Sequence, residues 1–208
     1  VSKPAKQTLT ERRAEELKLT IALTARDLFV TDGDTSATVE RICEIVGISP
    51  RTFHRHFPVK EDVAIPLFRR FGSTTTEVFE TAGPQDDPVE TLVRAFTTEI
   101  RRRHFEEFDR KFMSLVVKTP PFRLRWMEWC EHMEQPVTEF LSTRFDLDDD
   151  PFLRELPARL IVHTSVHAYI QWVDTGDLTE LESRQREGMR MIVGGLREKR
   201  RQPTISGQ

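Results

Sequence analysis

Cysteine is scarce: Cys43 and Cys130 are the only two in 208 residues. They stand far apart with no ligand-like spacing, which excludes a disulfide scaffold and a cysteine-based zinc site and points to a reducing compartment. No apolar run approaches the ~18 residues of a membrane span. The start, VSKPAKQTLTERRAEE, has no apolar core of a signal peptide, so a soluble cytoplasmic protein is expected. Period-2 strand patterns and internal repeats are missing. So are a Gly-rich phosphate loop, a nucleophile elbow, a metal cluster and a paired set of carboxylates on one helix face. The chain therefore gives no footing for an enzyme, and no cofactor or metal is expected.

Acid is also missing, but only locally. The formal net charge is -3 and the pI about 6.1, yet no Asp or Glu occurs from Ile45 to Lys60, a stretch holding Arg51, Arg55, Lys60, His54 and His56. A basic patch on a mildly acidic chain suits a polyanion site confined to one end.

What is abundant is helical patterning. Ile21, Ala25, Leu28 and Phe29 form one apolar face, ended by Gly33. Val39, Ile42, Cys43 and Val46 form a second, short one, stopped by Gly47. Ser49 is a good N-cap and Pro50 a good first residue for a third helix, which buries Phe53 and Phe57 and closes at Pro58. A fourth helix is expected from about Glu61 to Thr81, bent at Pro66. A fifth runs from Val89 to Arg103. Phe105, Phe108 and Phe112 stripe a sixth. Phe122, Trp126, Trp129, Met133, Val137 and Phe140 stripe a seventh, with Pro136 a possible kink. The eighth covers Phe152–Thr175 and the ninth Leu178–Arg200. The expected fold is all-α with about nine helices. Its divisions are an N-terminal three-helix head with an arm (1–65), a larger helical body (66–201) and a flexible tail (202–208).

A helix, a glycine turn and a second helix capped by Ser-Pro make a helix-turn-helix, whose second helix can enter a DNA major groove. IALTARDLFVTDGDTSATVERICEIVGISPRTFHRHFPVKEDV resembles the DNA-binding head of the tetracycline-repressor (TetR) family. The matches run in order: Leu28-Phe29, Gly33, Thr38-Val39, Ile42, Gly47-Ile48-Ser49, Thr52-Phe53, Arg55-His56-Phe57 and Lys60-Glu61. His54 stands where that family has tyrosine, Cys43 where it has alanine, and Val59 where it has a serine cap.

The resemblance implies a bacterial cytoplasmic regulator, nucleoid-associated when bound to DNA. It implies a homodimer, usually a repressor, on a near-palindromic operator, released when a small effector changes the spacing of the heads. Carried over by position, Thr38, Pro50, Arg51, Thr52, His54, Arg55, His56 and Lys60 are the expected DNA contacts. The arm with Lys3, Lys6, Arg12 and Arg13 is placed to reach an adjacent groove.

In the body, Phe68, Phe71, Phe96, Phe112, Trp126, Trp129, Cys130 and Met133 are candidates for an apolar effector pocket; plain core packing explains the same stripe. RKFMSLVVKTPPFRLRW loosely resembles a branch of the family that senses long acyl thioesters. Arg101, Arg102, Arg103, Arg123 and Arg125 would suit a coenzyme A phosphate or simply face water. The eighth helix is apolar nearly all round, so a twin subunit is expected to cover one side. His163, Val166, Tyr169, Trp172, Met189, Ile192 and Leu196 are the candidate dimer residues. His163 and His167 lie four apart but have no evident third metal ligand, and read as core or interface residues. Two rival readings stand beside the regulator: an adaptor docking a protein partner on DNA through an exposed aromatic surface, and an enzyme in the body.

Overall fold

The computed structural model describes residues 8–102 and 107–197. Lys3, Lys6, Arg103, Phe105 and the tail lie outside the described residues, as do the side chains of Phe71 and Arg102. Among the described residues there are ten α-helices, one 3-10 turn and no strand. In order they are α1 (Leu9–Asp32), α2 (Val39–Val46), α3 (Pro50–His56), the 3-10 turn (Lys60–Ala64), α4 (Ile65–Thr81), α5 (Pro88–Arg102), α6 (Glu107–Lys118), α7 (Pro120–Glu131), α8 (Glu134–Ser142), α9 (Pro151–Thr175) and α10 (Leu178–Val193). The all-α expectation holds.

Caps explain most boundaries. Thr8 and Glu11 close a reciprocal box at the start of α1. Thr38, Ser49, Asp150 and Asp177 each accept a backbone N–H at the start of α2, α3, α9 and α10. Gly33 and Gly47 end α1 and α2 at φ 78, a left-handed conformation that side chains with a Cβ resist.

Three elements differ from expectation. Pro66 sits in the first turn of α4, just past the 3-10 turn; its missing N–H has no intrahelical partner to lose there, so it is not a mid-helix bend. The seventh helix is two helices, α7 and α8, separated by a turn in which Met133 N–H donates to Cys130 O at 2.9 Å. Pro136 falls in the first turn of α8 and fits without a kink. Finally, α10 stops at Val193, before Gly194 and Gly195.

The described chain forms two compact units. The first gathers α1, α2, α3, the 3-10 turn, α4 up to Ser73, α6, and α7 up to Trp129. Its core holds Ile21, Phe29, Ile42, Phe53, Phe68 and Phe122, each at most 1% exposed. Burying side chains of this size stabilises by about 1.5–3 kcal/mol each. The second gathers α4 from Thr74, α5, and the chain from Cys130 onward, around Leu92, Leu141, Ile161, Leu181 and Met189. The units part within α4, between Ser73 and Thr74, and the first takes in α6 and α7 up to Trp129.

Candidate nucleic-acid interface

The interface is built from the turn outward. Gly47 and Ile48 N–H groups both donate to Cys43 O, at 2.9 and 3.0 Å, closing α2 tightly. Ser49 Oγ accepts from Thr52 N at 3.1 Å and fixes the start of α3. Phe53 is fully buried, and its ring meets Phe57 at 5.4 Å, one turn on. These anchors settle which way α3 faces. Pro50, Arg51, His54 and Arg55 are exposed, and no acid occurs on this segment. Thr38 is exposed at the start of α2, its oxygen accepting from Arg41 N at 3.2 Å. Arginines and a histidine on one exposed helical face suit phosphate oxygens and guanine edges.

Three expected contacts are placed differently. His56 is half-buried, and its Nε2 is enclosed without a hydrogen-bond partner. Burial first, then the charges of Arg55 and Lys18, hold its pKa below the usual histidine value, with Glu15 opposing. It turns inward because α1 lies behind that face of α3. Lys60 Nζ donates to Thr35 O at 2.7 Å and Ala37 O at 3.3 Å, and lies 5.9 Å from the Phe29 ring centroid. It staples the loop before α2, so its ammonium is already engaged. The Thr52 hydroxyl is 3.0 Å from Ser49 Oγ, within the cap itself. Arg12 and Arg13 belong to α1 and are exposed there.

Two further residues mattered that their neighbours in sequence do not reveal. Arg26 of α1 donates to Asp109 of α6 at 2.9 Å and lies over Phe108 at 5.2 Å. Asp62 of the 3-10 turn pairs with Arg125 of α7 at 3.0 Å. With Phe29 edge-on to Phe122 at 5.4 Å, they bind the helix-turn-helix to α6 and α7.

The candidate effector residues fall in both units. Phe68, Phe112, Trp126 and Trp129 lie in the first, where Phe68 and Trp129 rings are 6.0 Å apart. Phe96, Cys130 and Met133 lie in the second. Phe112 and Trp126 are buried, and Trp129 is half-buried. Cys130 is buried too, and burial pushes its thiol up to about 12, so it is no nucleophile at neutral pH. Of the arginines considered for coenzyme A, Arg101 pairs with Glu182 and Arg125 with Asp62 and Glu128. The second unit also has an open cleft of about 870 Å³ beside Phe79, Phe140 and Arg144. There Phe79 stacks on Phe140 at 4.8 Å, and the Arg144 guanidinium lies over Phe140 at 4.1 Å. Its rim includes Pro84 and Asp86 from the segment between α4 and α5, and Pro88 at the start of α5.

The candidate dimer residues divide. Val166, Trp172 and Met189 are buried within the chain's own second unit, and the Tyr169 hydroxyl donates to Phe96 O. They are core, because α5 and α10 cover that side of α9. Ile192 and Leu196 are half-buried. His163 is exposed, with Leu153, Leu160 and His167 on α9 and Met191 on α10.

A capped helix-turn-helix with an outward arginine-bearing second helix defines a sequence-reading DNA-binding protein. Residues 21–65 match the bacterial regulatory proteins of the tetR family, and residues 86–197 match the MftR C-terminal domain. The chain belongs to the tetR family and is a ligand-responsive, DNA-binding transcriptional regulator. It is 28% identical to the HTH-type transcriptional regulator TcmR of Streptomyces glaucescens over 151 residues, covering 68% of this chain and 67% of TcmR. It is 26% identical to the HTH-type transcriptional repressor AcnR of Corynebacterium diphtheriae over 163 residues, covering 76% and 77%. In fold it is similar to the Thermus thermophilus repressor FadR, solved in complex with lauroyl-CoA, with a TM-score of 0.64 at 20% identity over 91% of this chain and 100% of that one. No described helix is long and apolar enough to cross a membrane.

Proposed function

We propose that two copies of this chain bind a near-palindromic operator and repress transcription until a small, largely apolar effector releases them. The single observation that carries the DNA half is the exposure of Arg51, His54 and Arg55 on a helix whose opposite face is locked by Phe53 and Phe57. Arg51 and Arg55 supply phosphate or guanine contacts, His54 a further donor, and Thr38 and Pro50 hold the two helix starts against the backbone. His56 and Lys60 set the position of α3 rather than touch DNA. Functionally, residues 1–65 read DNA and 66–201 carry effector binding and dimerisation.

The apolar character of the effector is supported by the rings of Phe68 and Trp129 in the first unit and the Phe79–Phe140 stack in the second. An acyl thioester is one member of that class; FadR, of similar fold, was solved with lauroyl-CoA. Release is a population shift. The effector must bind the DNA-incompetent arrangement more tightly, and only that difference moves the equilibrium. The test is binding to the DNA upstream of the chain's own gene, titrated with salt and with excess random duplex. Saturable, competitor-resistant binding to a two-fold site, relieved by lauroyl-CoA or another apolar probe, is the expected result. Binding removed entirely by random duplex refutes operator recognition there.

A further inference from the structure

We propose that His163 and His167 bind a divalent transition metal together with the same two histidines of a second copy, at the middle of α9. The inference rests on the dimer reading above.

The two residues lie one turn apart on one face of α9, where side chains four apart have Cβ atoms about 5–6 Å from each other. Both are exposed. Neither has a carboxylate partner in any described ion pair, so both imidazoles keep a nitrogen for a metal. Gln171, one turn further along, places its amide 3.3 Å from His167 Nε2. An amide nitrogen only donates, so His167 accepts at Nε2 and carries its proton on Nδ1; a metal would displace Gln171 from Nε2 and leave Nδ1–H as the outward donor that metal-bound histidines keep.

One chain cannot complete the site: among the described residues no three His, Cys, Asp or Glu side chains converge. A second copy can. His163 is the central residue of Pro151–Thr175. A two-fold axis crossing α9 near its centre brings both histidine pairs around that axis. The surroundings favour such a crossing. Leu160 is 46% exposed on the same helix, and Met191 is 80% exposed on α10. Close packing of Gly188 against Thr164 sets α10 beside α9 at this level. Apolar side chains flanking an imidazole pair suit a partner surface of the same kind. Four neutral imidazoles match the tetrahedral preference of zinc and of cobalt(II).

The experiment uses the full chain, stripped with a chelator and titrated with Co²⁺. Sedimentation is run with and without metal. A dimer that takes up one Co²⁺ per two chains, with the intense visible bands of tetrahedral cobalt, supports the proposal. His163→Ala and His167→Ala should each weaken uptake at least tenfold, while His132→Ala, at an exposed histidine elsewhere, leaves it unchanged. A dimer that binds one ion per chain with weak octahedral bands, or none, overturns the metal site and leaves the dimer reading intact. A monomer under all conditions overturns both.

Discussion

Arg51 and Lys60 are both basic residues of the DNA-reading segment, and the structure gives them opposite work. Arg51 is exposed on α3. Lys60 holds the carbonyls of Thr35 and Ala37. Hydrogen bonds from a charged donor contribute about 1.5–3 kcal/mol each when well shielded. Lys60 is only half-buried and its second bond is long, so Lys60→Met should cost about 1–3 kcal/mol in total. For a chain of this size each kcal/mol lowers Tm by about 2–4 °C, so a loss of about 2 kcal/mol is roughly 4–8 °C. Arg51→Ala should leave Tm within a degree or so. In DNA binding the pattern inverts. Each phosphate contact contributes about 0.9 to the slope of log affinity against log salt. Losing Arg51 from both chains should flatten that slope by about 1.8, whereas Lys60→Met should leave the slope unchanged at temperatures where the head stays folded. Thermal melting and salt-titrated anisotropy on one duplex separate the two. If Lys60→Met melts like the parent and flattens the slope as Arg51→Ala does, the ammonium belongs on the phosphate and the staple is wrong.

His56 gives a pH signature. Its folded pKa lies below the ordinary 6.5, so the unfolded chain takes the proton first and stability is lost as pH falls through 6.5 toward the folded value. His56→Gln should remove that part of the acid slope; melting curves for parent and variant that stay parallel from pH 8 to 5 would contradict it. Gly188→Ala should destabilise by about 1–3 kcal/mol, since a Cβ there would sit 2.5 Å from Thr164 Cγ2. Adding Thr164→Ser, which lacks that methyl, should recover most of the loss in urea unfolding. Gln185 is fully buried with neither amide atom bonded. Gln185→Met should therefore raise the urea midpoint, by about 1 kcal/mol of stability, and a fall would show that the amide has a partner.

The helix-turn-helix was legible because its signals are local. Gly47, Ser49 and Pro50 fix the turn, and Phe53 with Phe57 fix the face. What α3 residues do was legible only in part. Whether His56 points outward depends on α1, and Lys60 answers to carbonyls more than twenty positions away. The break between α7 and α8 carries no glycine or proline at Met133, and the apolar stripe continues across it, so periodicity alone reads one helix. On α9 apolar residues occur all round. Composition therefore could not separate Val166 and Trp172, which the chain's own helices cover, from Leu160, which they leave exposed. The Phe79–Phe140 cleft joins residues from two helices that no spacing rule connects.

The ties from α1 and the 3-10 turn to α6 and α7 bear on modularity. The family's DNA-reading segment looks like a cassette in sequence, a short run exchangeable between relatives. Here its inner face is completed by Phe122, Asp109 and Arg125, residues from much later in the chain. A chimaera that imports residues 1–65 alone would set Phe29 and Arg26 against a foreign surface. One that carries α6 and α7 along would bring the head its own floor. The unit that evolution or an engineer can move is thus discontinuous in sequence: the helix-turn-helix together with the α6 and α7 residues that close its inner face.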